Sequence, residues 1–256
     1  MKVKIIQINI YRGAFLDKLV EFLQKEQPDI VTMQEVTGGA INFWHDKGID
    51  TFKYIKEALA LEGAFAPMYR LVGDASAYEG NAVLVRGKIL SSKIVQCKAY
   101  REYEQIPWVS EGPGMPRNAL DLKVEMGGST FHVLGTHGAW TKEPIDTPEK
   151  IRQARILSEY ISGLGDEPFV LGGDFNMESG SEVINIIDAV AHNAVHGSSI
   201  TNTLNLRTHR AAAILGPKGK GVDFIYTSPH FKIISIDAPE VDVSDHLPVR
   251  ATLSLY

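Results

Sequence analysis

Five short, largely apolar segments in this chain each lead into a carboxylate, an amide or an imidazole. Ile5-Ile6-Gln7-Ile8 ends at Asn9, and Ile30-Val31-Thr32-Met33-Gln34 ends at Glu35. Val133-Leu134-Gly135-Thr136 ends at His137. Val170-Leu171-Gly172-Gly173 ends at Asp174, with Asn176 two residues on. The fifth case is Ser244-Asp245-His246, just ahead of the last apolar run. At one such position the ordinary explanation suffices, because Asp and Asn favour turns and caps through hydrogen bonds to nearby backbone. Five together require more. If these ends share one edge of the fold, they form an oxygen-rich cup with two imidazoles. Hard cations such as Mg²⁺ and Mn²⁺ prefer such carboxylate and amide oxygens. Zinc is disfavoured, because no paired His or Cys spacing is present.

The rest of the pattern is mixed α and β. Val3 to Ile10, Ile30 to Gln34, Ala82 to Val85, Phe131 to Thr136, Phe169 to Gly172, Val222 to Thr227 and Val249 to Leu255 read as strands. Leu120, Leu122 and Val124 alternate with Asp121 and Lys123, which predicts a strand with one wetter face. Phe15, Leu19, Phe22 and Leu23 share a helical face, and that helix should stop before Pro28. Thr51 to Leu61 reads as a second helix. Thr147 is placed to cap a third that starts at Pro148 and carries Ile151, Ala154, Leu157, Ile161 and Leu164 as its stripe. Ser179 and Glu182 have capping-box spacing ahead of a fourth. Strands outnumber helices and several follow one another directly, which is not the alternation of a doubly wound sheet. Two packed sheets with helices outside fit the pattern better.

Composition narrows the function classes. The chain has 256 residues, 26 basic against 31 acidic, a net charge of −5 and one cysteine. That length can bury roughly 70–75% of the unfolded surface, so no disulfide or structural metal is required. Cys97 alone excludes an intramolecular disulfide and a cysteine-rich zinc site. The acidic balance excludes a module that coats nucleic acid through a bulk basic surface, but not an enzyme that meets phosphate through a bound cation. The apolar run after Met1 is broken by Gln7 and Asn9 and lacks a small-residue cleavage site. No window approaches the roughly 20 apolar residues of a membrane span. A cytoplasmic location and one domain over residues 1–256 are the expectations, since no linker or low-complexity tract divides the chain.

The segments QINIYRG, DIVTMQEV, GNAVLVR, LGTHGAW, VLGGDFNMESGSE, VDFIYTS and SDHLPV carry a resemblance. In that order they resemble the motifs of the endonuclease/exonuclease/phosphatase superfamily, which includes DNase I, exodeoxyribonuclease III, inositol polyphosphate 5-phosphatases, neutral sphingomyelinases and deadenylases. They fall within residues 3 to 250, from Gln7 to Val249. Gly-Asp-x-Asn alone is a weak signal; the ordered set is a specific one. The resemblance implies an α+β fold, a four-layer α/β/β/α sandwich of two mainly antiparallel sheets with the site at one edge.

It also implies roles. Glu35 would be the principal metal ligand, with Asn9 and Asp245 on the metal side, and Mg²⁺ the cofactor with Mn²⁺ as a substitute. Asp174 would align and deprotonate the attacking water, with Asn176 fixing its geometry. His246 would face the scissile phosphate, oriented by Asp223. His137 would donate to the leaving group or hydrogen-bond the phosphate, and a supporting structural role stands beside that reading. Arg117 would clamp a phosphate oxygen, against the alternative of a surface loop arginine. Asn81 is placed near the rim.

Substrate choice falls to loops. Residues 37–50 carry Phe43, Trp44 and His45; residues 100–115 carry Tyr103 and Trp108; Trp140 precedes Lys142; and GPKGKG carries Lys218 and Lys220. Aromatics beside lysines stack bases and bind phosphates, although each aromatic alone reads as loop packing. Val36 stands where abasic-site endonucleases have Thr-Lys after the Gln-Glu pair. TLNLRTHRAA stands where they have Trp-Arg, so an abasic-site repair role is not supported. The leading reading is a metal-dependent phosphodiesterase acting on nucleic acid. The alternative is a phosphatase or phosphodiesterase for a small or lipid-derived phosphate ester. A non-catalytic binding module ranks last, because every key residue is present. Neither membrane insertion nor an obligate protein partner is implied.

Overall fold

The computed structural model describes residues 1–39, 48–72, 77–105 and 114–256. Two mixed sheets pack face to face. The first contains β1 (Lys2–Asn9), β2 (Ile30–Gly38), β3 (Glu62–Leu71), β4 (Ala77–Val85), β6 (Arg101–Tyr103), β12 (Phe231–Asp237) and β13 (Val249–Leu255). Its order is β12-β13-β1-β2-β4-β3-β6. The second contains β5 (Lys88–Lys98), β7 (Arg117–Met126), β8 (Ser129–His137), β9 (Phe169–Asp174), β10 (His192–Asn193) and β11 (Asp223–Thr227), in the order β10-β11-β9-β8-β7-β5. Pairing is antiparallel except for β1–β2, β3–β6 and β8–β9.

Period-two alternation sorts the side chains of β1. Val3 and Ile5 join the core between the sheets, while Ile6, Ile8 and Ile10 pack outward with α1 (Leu16–Glu26) and α2 (Thr51–Leu59). α1 ends at Gln27 in a left-handed conformation, φ 49°, immediately before Pro28. On the second sheet, Ala154, Leu157 and Ile161 of α3 (Pro148–Ser162) join the core with Val183, Ile184 and Ile187 of α4 (Glu182–Asp188). Thr147 caps α3 by accepting from the Lys150 N–H. α4 is capped by Ser181, which accepts from the Ile184 N–H, and not by Ser179 as the spacing predicts. A short α5 (Ala212–Leu215) lies in the connection to β11. Among the described residues, no helix is long and apolar enough to cross a membrane.

Two features depart from the strand reading. The wetter face of β7 is covered at one end only: Asp121 is buried beneath α3, where it accepts from Tyr160 Oη at 2.7 Å, while Lys123 is half-buried and Glu125 exposed. β2 does not stop at Gln34 but continues through a bulge, where pairing with β4 jumps from Met33–Ala82 to Val36–Gly80. The extra residue reverses the alternation, so that Met33 and Val36 both pack outward. Glu35, at the bulge, adopts φ 53°.

The inward positions nearest the site end are polar. Gln7 donates to Gln34 Oε1 at 2.5 Å, and Thr32 donates to Gln7 Oε1 at 2.6 Å. Gly172 of β9 packs onto this cluster. A Cβ there would fall 2.1 Å from Thr32 Oγ1, so only glycine allows the sheets to close at that point.

Candidate active site

The strand ends converge on Asp174, the last residue of β9. Its Oδ1 accepts from the Asn176 N–H at 2.9 Å, which makes the tight turn that holds Asn176 at φ 53°. Its Oδ2 accepts from Asn9 Nδ2 at 3.1 Å and faces His137 Nε2 at 3.5 Å and His246 Nε2 at 3.8 Å. One carboxylate therefore caps its own turn and also serves as the hub of four segments. β1 supplies Asn9, and β8, parallel to β9, supplies His137 in register with Asp174. Asp223, at the start of β11, is also in register with Asp174.

His246 is held from both sides. Its Nδ1 lies 2.8 Å from Asp223 Oδ2, and Asp223 Oδ1 accepts from Gln7 Nε2 at 3.3 Å. Burial disfavours the charged ring, but Asp223 and Asp174 outweigh it and keep His246 protonated well above the ordinary histidine range. His137 goes the other way. Burial, then the nearby Arg117, His246 and Arg12 cations, hold it neutral. Burial also raises the Asp174 carboxyl, with Asp223 adding to the effect. Asp174, Asp223 and His246 each bring one possible ligand atom within 4.8 Å of the others.

Glu35 and Asp245 form the second half of the site. Asn9 Nδ2 donates to Glu35 Oε1 at 3.2 Å, and Arg12 Nη1 lies 2.5 Å from Glu35 Oε2. Arg12 is itself in a left-handed conformation, φ 53°, and its Nε donates to Glu79 Oε2 at 2.5 Å. Burial pushes the Asp245 carboxyl up to about 6; His246 opposes this and Glu35 adds to it. Ser244 fixes the segment by donating to the Asn9 backbone oxygen at 2.6 Å. Asn205 and Thr208 both donate to the Ser244 carbonyl, at 3.1 and 2.7 Å.

These groups line a cleft of about 450 Å³. Asn9, Glu35, Arg117, His137, Trp140, Asp174, Asn176, Asp245 and His246 all face it, and Asp223 stands behind His246. Arg117 is buried, not a surface loop residue, and its Nε donates to the Gly138 carbonyl at 2.9 Å. Asn176 Nδ2 donates to the same oxygen at 3.2 Å. Trp140 is 45% exposed at the cleft and Lys142 stands near it.

Asn81 is a correction. It does not line the cleft but is buried between the sheets, where its Nδ2 donates to the Asn118 backbone oxygen and to Asn118 Oδ1, both at 2.9 Å. It shares its strand face with Val83 and Val85, so alternation directs it into the core. Phe43, Trp44, His45 and Trp108 lie outside the described residues. Tyr103 packs edge-on against Tyr69 at 5.8 Å, away from the cleft lining.

Sequence reading missed Arg12, Glu79, His209 and Lys150. His209 lines the cleft, 4.0 Å from Asp245 Oδ2, and burial lowers its pKa to about 4. The signal for Arg12 was the following Gly13, a turn former directly after the first strand. Lys150 carries no such signal, since it sits on a helix among ordinary surface charges.

Solved structures share the whole fold. The endonuclease/exonuclease/phosphatase from Bacteroides vulgatus aligns over 100% of both chains with a TM-score of 0.75 and 20% identity. The human Nocturnin catalytic domain with bound sulfate aligns over 100% of this chain and 95% of its own, with a TM-score of 0.72 and 20% identity. A mannosyl-6-phosphatase from Bacteroides thetaiotaomicron aligns over 99% of this chain and 100% of its own, with a TM-score of 0.71 and 18% identity. No curated protein matches the chain by sequence. At these identities the likeness shows the fold, an α+β sandwich of the DNase I-like kind. The sequence profile of the Endonuclease/Exonuclease/phosphatase family, whose members hydrolyse phosphoesters, matches residues 6–246, and the chain belongs to that family.

Proposed function

We propose that this protein hydrolyses phosphodiester bonds in nucleic acid by in-line attack of water. The observation that carries the reading is the convergence of Asn9, His137 and His246 on one oxygen of Asp174, with Asp223 behind His246. Asp174 aligns the attacking water and accepts its proton. Asn176, pinned by Asp174 and Gly138, borders the same space. His246, charged by its two carboxylates, faces the phosphoryl oxygens, and Asp223 fixes which nitrogen points into the cleft. Arg117 supplies a second, buried cation. His137, neutral, hydrogen-bonds the phosphate or the leaving oxygen.

The residues present fit a divalent cation at Glu35 and Asp245, with Asn9 beside them as a supporting residue. Glu35 and Asp245 offer the carboxylate oxygens that Mg²⁺ and Mn²⁺ select, with Glu35 Oε2 held against Arg12 Nη1 at 2.5 Å, while Asn9 braces Glu35 by donating from Nδ2 and accepts from the Tyr11 N–H at its own Oδ1. The tighter group of Asp174, Asp223 and His246 suits a cation less well, because His246 stands as a hydrogen-bond donor between the two carboxylates. When bound, the cation supplies charge neutralisation at the phosphoryl oxygens.

Trp140 beside Lys142 supports the nucleic-acid reading, as a stacking surface next to a phosphate-binding charge. A second reading, a small phosphate ester, draws on the cleft volume of about 450 Å³, which lies within the small-molecule range. It also draws on the mannosyl-6-phosphatase among the structural relatives. The test is a panel of single-stranded DNA, duplex DNA, RNA, inositol phosphates, a sugar phosphate and an aryl phosphodiester, each with Mg²⁺, Mn²⁺ or chelator. Turnover of a nucleic acid supports the proposal. Turnover of monoesters alone transfers it to the second reading, and activity that survives chelation overturns the metal role.

A further inference from the structure

Behind His137, on the side away from the cleft, lies a separate cavity of about 30 Å³. Its lining includes His137, Lys150, Gln153, Thr136, Cys97 and Phe175. Two buried polar atoms of this lining have no hydrogen-bond partner, His137 Nδ1 and Gln153 Oε1. Each belongs to a side chain more than nine-tenths buried. The volume has room for one water, and a buried water requires two to four polar partners. Apolar cavities stay dry; this one offers polar groups from three residues.

The donor and acceptor count is specific. Gln153 Nε2 donates to Glu149 Oε1 at 2.7 Å, which fixes the amide and leaves Oε1 as the unpaired acceptor. Lys150 Nζ donates to the Asn176 carbonyl at 3.2 Å and contacts Met177 Sδ at 3.1 Å, and its third hydrogen remains. A water here accepts from Lys150 and has two hydrogens to give. One goes to Gln153 Oε1. The other goes to an unprotonated His137 Nδ1. An Nδ1–H would instead take the water's second lone pair and leave one water hydrogen without an acceptor, and would leave Nε2 with no hydrogen to turn towards Asp174 Oδ2 at 3.5 Å.

We propose that Lys150 and Gln153 are positioning residues for His137. Through a water held in this cavity they keep Nδ1 unprotonated and place the ring hydrogen on Nε2, the nitrogen 3.5 Å from Asp174 Oδ2. His137 then presents a hydrogen-bond donor to the cleft and not a base. This rests on the reading of the cleft as a phosphoester site and assigns His137 the donor role there. Lys150 ties the arrangement to Asn176 as well, so one buried ammonium supports two cleft residues.

The test is imidazole ¹H–¹⁵N spectroscopy of the full chain, which separates protonated from unprotonated ring nitrogens. His137 should be a single Nε2–H tautomer. Gln153→Met should shift it towards Nδ1–H, and Gln153→Glu, which keeps an acceptor oxygen, should restore it. In Gln153→Met, kcat should fall with KM unchanged, by less than the roughly 10²-fold of an acid–base group lost outright. An Nδ1–H tautomer in the wild type, or a tautomer indifferent to Gln153→Met, overturns the proposal. If Gln153→Met does not fold, a high-resolution crystal structure of the wild type decides. A water within hydrogen-bond distance of His137 Nδ1, Gln153 Oε1 and Lys150 Nζ supports the proposal, and a dry cavity overturns it. A responsive tautomer in a chain that hydrolyses no phosphoester would retain the positioning and discard the functional reading.

Discussion

Asp223 Oδ2 and His246 Nδ1 are 2.8 Å apart, both buried, with Gln7 holding the other oxygen of the carboxylate. The pair fixes the ring so that Nε2 points past Asp174 into the cleft. Asp223→Asn keeps the shape but removes the charge that holds His246 protonated. We expect kcat to fall by about 10²-fold or more, within the usual range for acid–base groups, with KM changed much less. Steady-state kinetics on whichever substrate of the panel turns over provides the measurement. A variant within a factor of two of wild type would refute the role.

Glu35 should govern cation binding. A ligand that binds only the folded state stabilises it by about 2.7 kcal/mol when present at 100 times its dissociation constant. Mg²⁺ or Mn²⁺ should therefore raise the wild-type melting temperature, chelator should reverse the rise, and Glu35→Gln should remove it. The ion pair with Arg12 adds a second expectation, because a cation at Glu35 competes with the guanidinium for the same oxygen. Arg12→Ala should then bind the metal more tightly than wild type in calorimetric titration. Equal metal-induced shifts in Glu35→Gln and wild type would place the cation elsewhere.

How much of this site was legible depended on how regular the backbone is. Asn9, His137 and Asp174 end regular strands, so an apolar run closed by one polar residue was enough to find them. Glu35 was found as a residue, but the bulge that turns it into the site was not, because an extra residue in a strand leaves no periodic trace. Arg12 sits in a left-handed turn after β1, where no pattern says which way a side chain points. Asn205 and Thr208, which brace Ser244, lie in an aperiodic loop that brings residues 203–209 against 241–247. Asn81 was misplaced although its alternation with Val83 and Val85 already directed it inward.

That correction is testable. Asn81 links β4 to β7 across the two sheets through its paired bonds to Asn118. Breaking a buried hydrogen bond and leaving its partner unsatisfied costs about 1–3 kcal/mol. Asn81→Ala should therefore lower the unfolding free energy measured by urea titration by an amount in that range and leave KM unchanged. A raised KM with unaltered stability would return Asn81 to the substrate side.

Far from the cleft, His132 should make stability depend on pH. Its Nδ1 lies 2.8 Å from Asp121 Oδ2 and its Nε2 lies 3.1 Å from Glu167 Oε2. Lys123 pairs with the same Glu167 oxygen, and Tyr160 donates to Asp121. The hydrogen bond to Asp121 raises the His132 pKa above its ordinary value; burial opposes it, and Glu167 adds to it. A group whose folded pKa lies above its unfolded one, about 6.5 for histidine, favours the fold fully at pH values below the unfolded pKa. The contribution is then lost as pH rises from about 6.5 through the folded pKa. In urea unfolding at a series of pH values, wild type should exceed His132→Gln most at about pH 6, by on the order of 1–3 kcal/mol. The gap should narrow steadily above that pH. A gap that is flat, or that widens towards alkaline pH, would show that His132 is not charged between its two carboxylates.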